Sequence, residues 1–205
     1  MTATARAQQS EIVRLLRVEA VSASPWRNGG GVTRRLVTAS GSPLHGPSAL
    51  RWTLSLADVT APARFSRFPG MDRSFLFVGD GPARLRIDGV ERDVTAAQVS
   101  RFPGEGDVEM VAGCGRAVNL MTRRDVVDGD LTIASLPLSR ELQAEWDTGG
   151  IAAMIALEGS AAYAVGDTVL WATETPFVHQ GVVTDHAGLP PGFPPLIALV
   201  QVRES

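Results

Sequence analysis

The chain has few of the residues that carry most active-site chemistry: one cysteine, three histidines and one tyrosine among 205 residues. The single cysteine, Cys114, excludes an intrachain disulfide and fits a reducing compartment. A reactive thiol needs a positioned base, and nothing near Cys114 in the sequence supplies one. We therefore interpret Cys114 as a small packed residue.

The histidines are too few and too dispersed to predict a metal centre, since borderline metals need imidazole and oxygen donors that converge on one point. His45 lies in a predicted loop, and His179 and His186 are too far apart to form a ligand pair on one strand. A two-histidine site completed by Asp185 or Glu174 stays open as an alternative. The sequence predicts no bound metal and no cofactor.

Charge excess and long apolar runs are also missing. A net charge of −3 gives no general attraction to nucleic acid or to anionic membranes. The apolar run at residues 151–157 ends at Glu158, well short of the roughly 18 residues that a membrane span requires. Residues 1–10 lack the apolar core of a secretory signal, and we expect them to be flexible. We expect a cytoplasmic protein with neither nucleic acid nor membrane as a partner.

Many short strand patterns separated by Gly- and Pro-rich turns favour an all-β barrel or sandwich. The clearest is residues 51–59, where Trp52, Leu54 and Leu56 share one face. Thr53, Ser55 and Ala57 share the other face, which either lines a ligand-holding lumen or meets solvent. Asp88-Gly89 predicts a two-residue hairpin turn within residues 83–94. Further strands are predicted at residues 13–21, 32–39, 74–78, 108–111, 117–121, 131–136, 151–157, 161–165, 168–171 and 196–202, with loops at 40–49 and 188–195 and one helix at 139–146.

Two stretches carry unusual chemistry. Residues 25–34 read Pro-Trp-Arg-Asn-Gly-Gly-Gly-Val-Thr-Arg, and the three glycines predict either a tight strand connection or a loop that faces a ligand. Residues 65–73 place two phenylalanines and two arginines around a Pro-Gly turn. Arginine beside an aromatic ring can bind a carboxylate, while Asp72 can instead pair with Arg67 or Arg73 and only fix the loop.

These two stretches, together with residues 52–59 and 118–124, resemble the HutD/Ves family. The resemblance implies a cupin-like antiparallel β fold built as a bicupin, with residues 11–205 as one unit whose halves are 11–125 and 126–205. It also implies an association with histidine utilisation or stress responses, a small acidic ligand such as urocanate or a formylated glutamate, and no established reaction. Two departures change charge near the expected pocket: Phe-Pro-Gly-Glu replaces Phe-Asp-Gly-Asp at residues 102–105, and Arg35 replaces an acidic residue.

A small planar carboxylate needs a cationic fork, neutral donors and an aromatic face. The matching blocks supply all three, with Arg34 and Arg73 as preferred clamps and Trp52 or Phe68 as the apolar wall. In the alternative, the arginines pair with Asp58 and Asp72 to hold loops. The predicted ligand-binding residues are Asn28, Thr33, Arg34, Trp52, Ser55, Arg67, Phe68, Asp72, Arg73 and Asn119.

Three functions are compatible with this pattern. The first is a non-enzymatic protein that binds a small acidic metabolite and has a regulatory role. The second is a metal-free isomerase or hydrolase that uses Asp58, Asp72 or Asp167 as general base. The third is an interaction module that forms a homodimer through an outer sheet.

Overall fold

The structure is a computed structural model that describes residues 13–42, 44–79, 81–96, 98–136, 139–140, 151–171 and 194–204. Within these ranges every strand pairing is antiparallel, which confirms the all-β prediction. The elements are β1 (Val13–Leu16), a 3₁₀ turn (Val18–Ala20), β2 (Ala23–Pro25), β3 (Gly31–Ser42), β4 (Gly46–Val59), β5 (Ala63–Arg64), β6 (Met71–Val78), β7 (Ala83–Ile87), β8 (Val90–Val94), β9 (Val99–Pro103), β10 (Val108–Ala112), β11 (Gly115–Arg123), β12 (Val127–Ser135), β13 (Ile151–Ala156), β14 (Thr168–Trp171) and β15 (Leu196–Glu204).

The strands form three sheets. A six-stranded sheet has the order β2-β3-β4-β11-β6-β9, and a four-stranded sheet has the order β5-β10-β7-β8. The third sheet has five strands in the order β1-β14-β13-β15-β12. The first strand of the described chain therefore completes the sheet that is otherwise built from residues after 126.

The six-stranded sheet packs against a different sheet on each of its two faces. Leu54 of β4 and Leu120 of β11 lie on the face that packs on the five-stranded sheet, against residues such as Ile155. Phe75 and Ala117 lie on the opposite face, in the core shared with the four-stranded sheet. We call this opposite face, which also carries Ser55 and Asn119, the inner face.

The hairpin at residues 83–94 turns at Asp88 and Gly89 as predicted, with φ of 48° and 85°. Residues 40–49 do not form the predicted loop, because β3 and β4 continue through most of them and pair as far as Ser42 and Gly46. Residues 161–165 form bends rather than a strand. The predicted strand at 13–21 stops at Leu16 and gives way to the 3₁₀ turn.

Two further predictions concern Cys114 and the elements predicted after residue 138. Cys114 is exposed, which contradicts its interpretation as a packed residue; it lies between Gly113 and Gly115, and its thiol donates to the Thr60 carbonyl at 3.2 Å. Residues 141–146 of the predicted helix at 139–146, and most of the loop at 188–195, lie outside the described residues. Among the described residues, no helix has the length and apolar character needed to cross a membrane.

Candidate functional site

A cavity of about 480 Å³ opens on the inner face of the six-stranded sheet. Its floor follows from strand register, since directly paired residues project from the same face. One row crosses the sheet as Arg35, Ser55, Asn119 and Phe75, in β3, β4, β11 and β6.

The next row contains Thr53, Met121 and Arg73, on β4, β11 and β6. All three residues line the cavity. Together the two rows give a floor of neutral polar groups bounded by arginines.

Arg73 is the most unusual group in this cavity. Its guanidinium carbon lies 5.2, 5.4 and 6.0 Å from the ring centroids of Phe65, Phe68 and Phe102. The Nε–H donates to Met121 Sδ at 3.2 Å, and no described carboxylate pairs with this arginine. Burial lowers the pKa of Arg73 to about 10, so the side chain remains cationic at neutral pH. Arg73 is therefore a partly desolvated cation with aromatic contacts and no counter-ion among the described residues.

Three further arginines, Arg27, Arg35 and Arg64, line the same cavity, and none of the described lining residues is Asp or Glu. Arg64 donates to Asp107 at 3.3 Å, outside the lining. Arg27 and Arg35 are exposed and make no ion pair within the described part of the chain. The cavity therefore has a positive potential, which favours an anionic occupant.

Two neutral groups on the floor can orient such an occupant. Asn119 Oδ1 is buried and accepts no hydrogen bond from the described residues. Ser55 is 7% exposed and its neighbour in the same row is Asn119. An unsatisfied buried acceptor is costly, so a ligand that donates to Asn119 would recover free energy.

The glycine-rich stretch forms one rim of the cavity as a tight turn. Asn28 Oδ1 accepts from the Gly30 amide at 3.1 Å, and Trp26 Nε1 donates to Thr33 Oγ1 at 2.8 Å. A Cβ on Gly31 would lie 2.3 Å from the Asp58 carbonyl oxygen, so only glycine fits there. The turn connects two strands and places Trp26 and Asn28 in the lining of the cavity. That it faces a ligand stays a prediction.

The structure brings together six of the ten predicted ligand-binding residues. These are Asn28, Thr33, Ser55, Phe68, Arg73 and Asn119. Their placement is a geometric finding, and their role in binding remains a prediction.

The other four predicted residues lie outside the described lining. Arg34 pairs with Asp58 and Glu19, and Asp72 pairs with Arg124. Trp52, at 7% exposure, packs in the core between the sheets, and Arg67 is exposed with its nearest acid, Asp107, at 3.7 Å. Strand alternation explains the first three, because adjacent strand residues such as Thr33 and Arg34 project from opposite faces. The ion pair of Arg34 with Asp58 matches the alternative considered for it, and Asp72 pairs with Arg124 rather than Arg67 or Arg73.

Sequence reasoning missed several lining residues as candidates. The register between β4 and β11 identifies Thr53 and Met121 as lining residues, because they share a face with Ser55 and Asn119. Arg35 was noted only for its charge, although it pairs with Ser55 across β3 and β4. Phe65 and Trp26 lie on loops, where no periodicity predicts direction.

The three aspartates considered as general bases hold elements together outside this cavity. Asp58 bridges Arg34 and Arg116. Asp167 is 2% exposed and accepts from Arg17 at 2.8 Å and from the Val18 amide at 2.9 Å. His45 is exposed, and His179 and His186 lie outside the described residues. The absence of a bound metal therefore stays a prediction. The described residues contain no cluster of three His, Cys, Asp or Glu suited to a metal.

A second cavity, of about 590 Å³, lies where β6, β9 and β11 meet β12. Two of its arginines pair with acids: Arg101 pairs with Asp130, and Arg124 pairs with Asp72 and Glu105. Arg73 lines both cavities, but this second one is also lined by the acidic residues Asp72, Asp125 and Asp128, whereas the described lining of the first has none. We therefore regard the first cavity as the candidate ligand site.

The family model described as HutD matches residues 18–183. This chain belongs to the HutD family. A relative of this HutD-family protein, an uncharacterized 21.2 kDa protein in the hutC 3′ region of Pseudomonas putida, is 35% identical over 113 residues, or 53% of this chain and 57% of the relative. The match thus spans just over half of that relative. Protein Ves of Citrobacter koseri is 28% identical over 163 residues, covering 76% of this chain and 78% of Ves.

Two solved structures share the β architecture of this HutD-family protein. HutD from Pseudomonas fluorescens SBW25, crystallised in a formate condition, aligns with a TM-score of 0.64 and 18% identity over 94% of this chain and 99% of that one. A conserved protein of unknown function from Pseudomonas aeruginosa PAO1 gives 0.62 and 22% over 93% and 98%. At these identities the likeness shows the fold alone.

Proposed function

We propose that this HutD-family protein binds a small carboxylate in the cavity around Arg73 and acts as a binding protein rather than an enzyme. The observation that carries the proposal is Arg73 itself, a partly desolvated cation without a described carboxylate partner. A partly buried charge is costly unless something pairs with it, and a carboxylate is the bidentate partner that a guanidinium fork fits best.

The surroundings suit a planar carboxylate. The rings of Phe65, Phe68 and Phe102 contact the guanidinium of Arg73. The N–H donors of this guanidinium other than Nε–H are available to a ligand. Ser55 and Asn119 supply neutral hydrogen-bonding groups on the floor. A small unsaturated or acylated acid would fill a cavity of about 480 Å³ with room for ordered water.

The biological role proposed here follows from family membership. The Pseudomonas putida relative is encoded in a hutC region, and the family model is named HutD. We infer a cytoplasmic protein that senses an acidic metabolite of histidine utilisation, such as urocanate or a formylated glutamate, and regulates that utilisation. A role in stress responses is the other form of this proposal.

The test is calorimetric titration of urocanate and N-formylglutamate into wild type and Arg73→Met. Methionine keeps the packing on the phenylalanines and removes the charge. Loss of a charge-assisted hydrogen bond in a partly desolvated site costs about 1.5–3 kcal/mol, so affinity should fall about ten- to a hundredfold. The matched control is Arg92→Met, which removes an exposed arginine on β8, outside the cavity.

Equal affinity of folded wild type and Arg73→Met would remove Arg73 from the site. Turnover of either compound by wild type, followed by NMR, would favour the enzyme alternative. A stable dimer that binds neither compound would favour the interaction module.

A further inference from the structure

We infer that Arg35 is a specificity-determining residue which makes the ligand a dianion, with one carboxylate on Arg73 and a second anionic group on Arg35. This inference rests on the proposed function and narrows its ligand class. It starts from the charge of the cavity, which has four arginines and no acidic residue among its described lining. A single carboxylate would neutralise only one of them.

Arg35 is the cation best placed for the second contact, because it projects from the floor itself. It lies on β3 in the row that continues through Ser55, Asn119 and Phe75. The pair that Arg35 forms with Ser55 is the last regular pair before a bulge between Arg35 and Val37. Because paired residues share a face, Arg35 extends over the same surface as Ser55 and Asn119.

The two arginines lie on different strands of the same sheet. Strands lie about 4.8 Å apart and alternate residues about 6.6 Å apart, so the Cα atoms of Arg35 and Arg73 are about 16 Å apart across β4 and β11. A ligand that contacts both guanidinium groups must therefore be a chain with an anion at each end that passes over Asn119.

The other arginines are less suited. Arg64 already donates to Asp107 at 3.3 Å. Arg27 is exposed and lies in the turn at the rim rather than on the floor. Arg35 is also exposed and makes no described ion pair, so its charge is free to meet a ligand.

The experiment compares glutarate with pentanoate, which has the same five-carbon chain but only one carboxylate. Calorimetry on wild type should show glutarate binding about tenfold more tightly, since a charge-assisted contact at a partly exposed site is worth about that factor. In Arg35→Gln this preference should disappear while pentanoate affinity stays within about twofold. Arg73→Met should weaken both ligands, and the exposed control Arg92→Gln should weaken neither. High ionic strength should reduce the preference in wild type, because Arg35 is exposed.

The outcomes separate the inference from the proposed function. Equal binding of glutarate and pentanoate by wild type, with both dependent on Arg73, would overturn the role of Arg35 and leave carboxylate binding intact. Loss of the preference in Arg27→Gln but not in Arg35→Gln would move the second contact to the rim and also overturn the assignment. No binding of either acid or of the earlier pair of probes would instead defeat the proposed function.

Discussion

Replacing Arg73 by methionine should stabilise the unliganded protein while it weakens ligand binding. Burial lowers the pKa of Arg73 from its ordinary value to about 10. A base whose pKa is lower in the folded state is less favourably charged there, and a shift of this size corresponds to about 3 kcal/mol. The cost is fully present at any pH below the folded value and fades as the pH rises above about 10.

Cation–π contacts with three phenylalanine rings offset about 1–2 kcal/mol of this desolvation cost. The net gain expected for Arg73→Met at neutral pH is therefore about 1–2 kcal/mol. For a chain of this size that raises Tm by about 2–8 °C. A carboxylate present at a hundred times its wild-type Kd should add about 2.7 kcal/mol to wild type. It should add only about 0.4–1.4 kcal/mol to the variant, whose Kd is ten- to a hundredfold higher, so the difference in stability between the two proteins should close.

Urea unfolding at neutral pH, with and without N-formylglutamate, measures both effects. Arg92→Met controls for the loss of a surface charge and should change stability by less than about 0.5 kcal/mol. If Arg73→Met were clearly less stable than wild type without ligand, the guanidinium would be a net stabilising element. That result would refute the inference that Arg73 is an uncompensated charge in the unliganded protein.

Two further predictions concern a close backbone approach and an ion pair. Gly31→Ala should cost about 3 kcal/mol, since its Cβ would meet the Asp58 backbone at 2.3 Å, whereas Gly29→Ala, with φ of 71° and open space around it, should cost only about 1 kcal/mol. Urea midpoints would decide, and equal losses would contradict the close approach at Gly31. A hydrogen bond from Arg124 lowers the pKa of Glu105, so Arg124→Gln should return the pKa of Glu105 towards its ordinary value. An NMR titration that shows the same Glu105 midpoint in both proteins would disprove that pairing.

The sequence predicts the fold of this chain better than it predicts the site, because strand alternation and turn chemistry are local signals. Asp88-Gly89 marks its hairpin through positive φ, and residues 51–59 sort their faces by simple alternation. The prediction of a loop at residues 40–49 is wrong because the glycines and prolines in this stretch do not end the two strands. Gly41 and Gly46, with φ of 97° and 88°, instead accommodate the irregular end of a long hairpin.

The site prediction was limited mainly by which residue pairs with which. The face assignment of Trp52 with Leu54 and Leu56 already opposed its use beside Ser55, and the structure follows the face assignment. Ion pairs could not be foreseen in the same way. Arg116 reaches Asp58 across 58 residues and Glu19 across 97, and no sequence pattern reports such contacts.

The six-stranded sheet has a consequence for how this protein can change over generations. In β4 and β11 the odd-numbered positions, such as Ser55 and Asn119, line the cavity, while even-numbered ones, such as Leu54 and Leu120, pack in the core shared with the five-stranded sheet. Substitutions at odd positions can therefore alter the lining of the cavity without disturbing that core. A one-residue insertion or deletion would exchange the two sets at once, so diversification here proceeds by replacement and not by change of length.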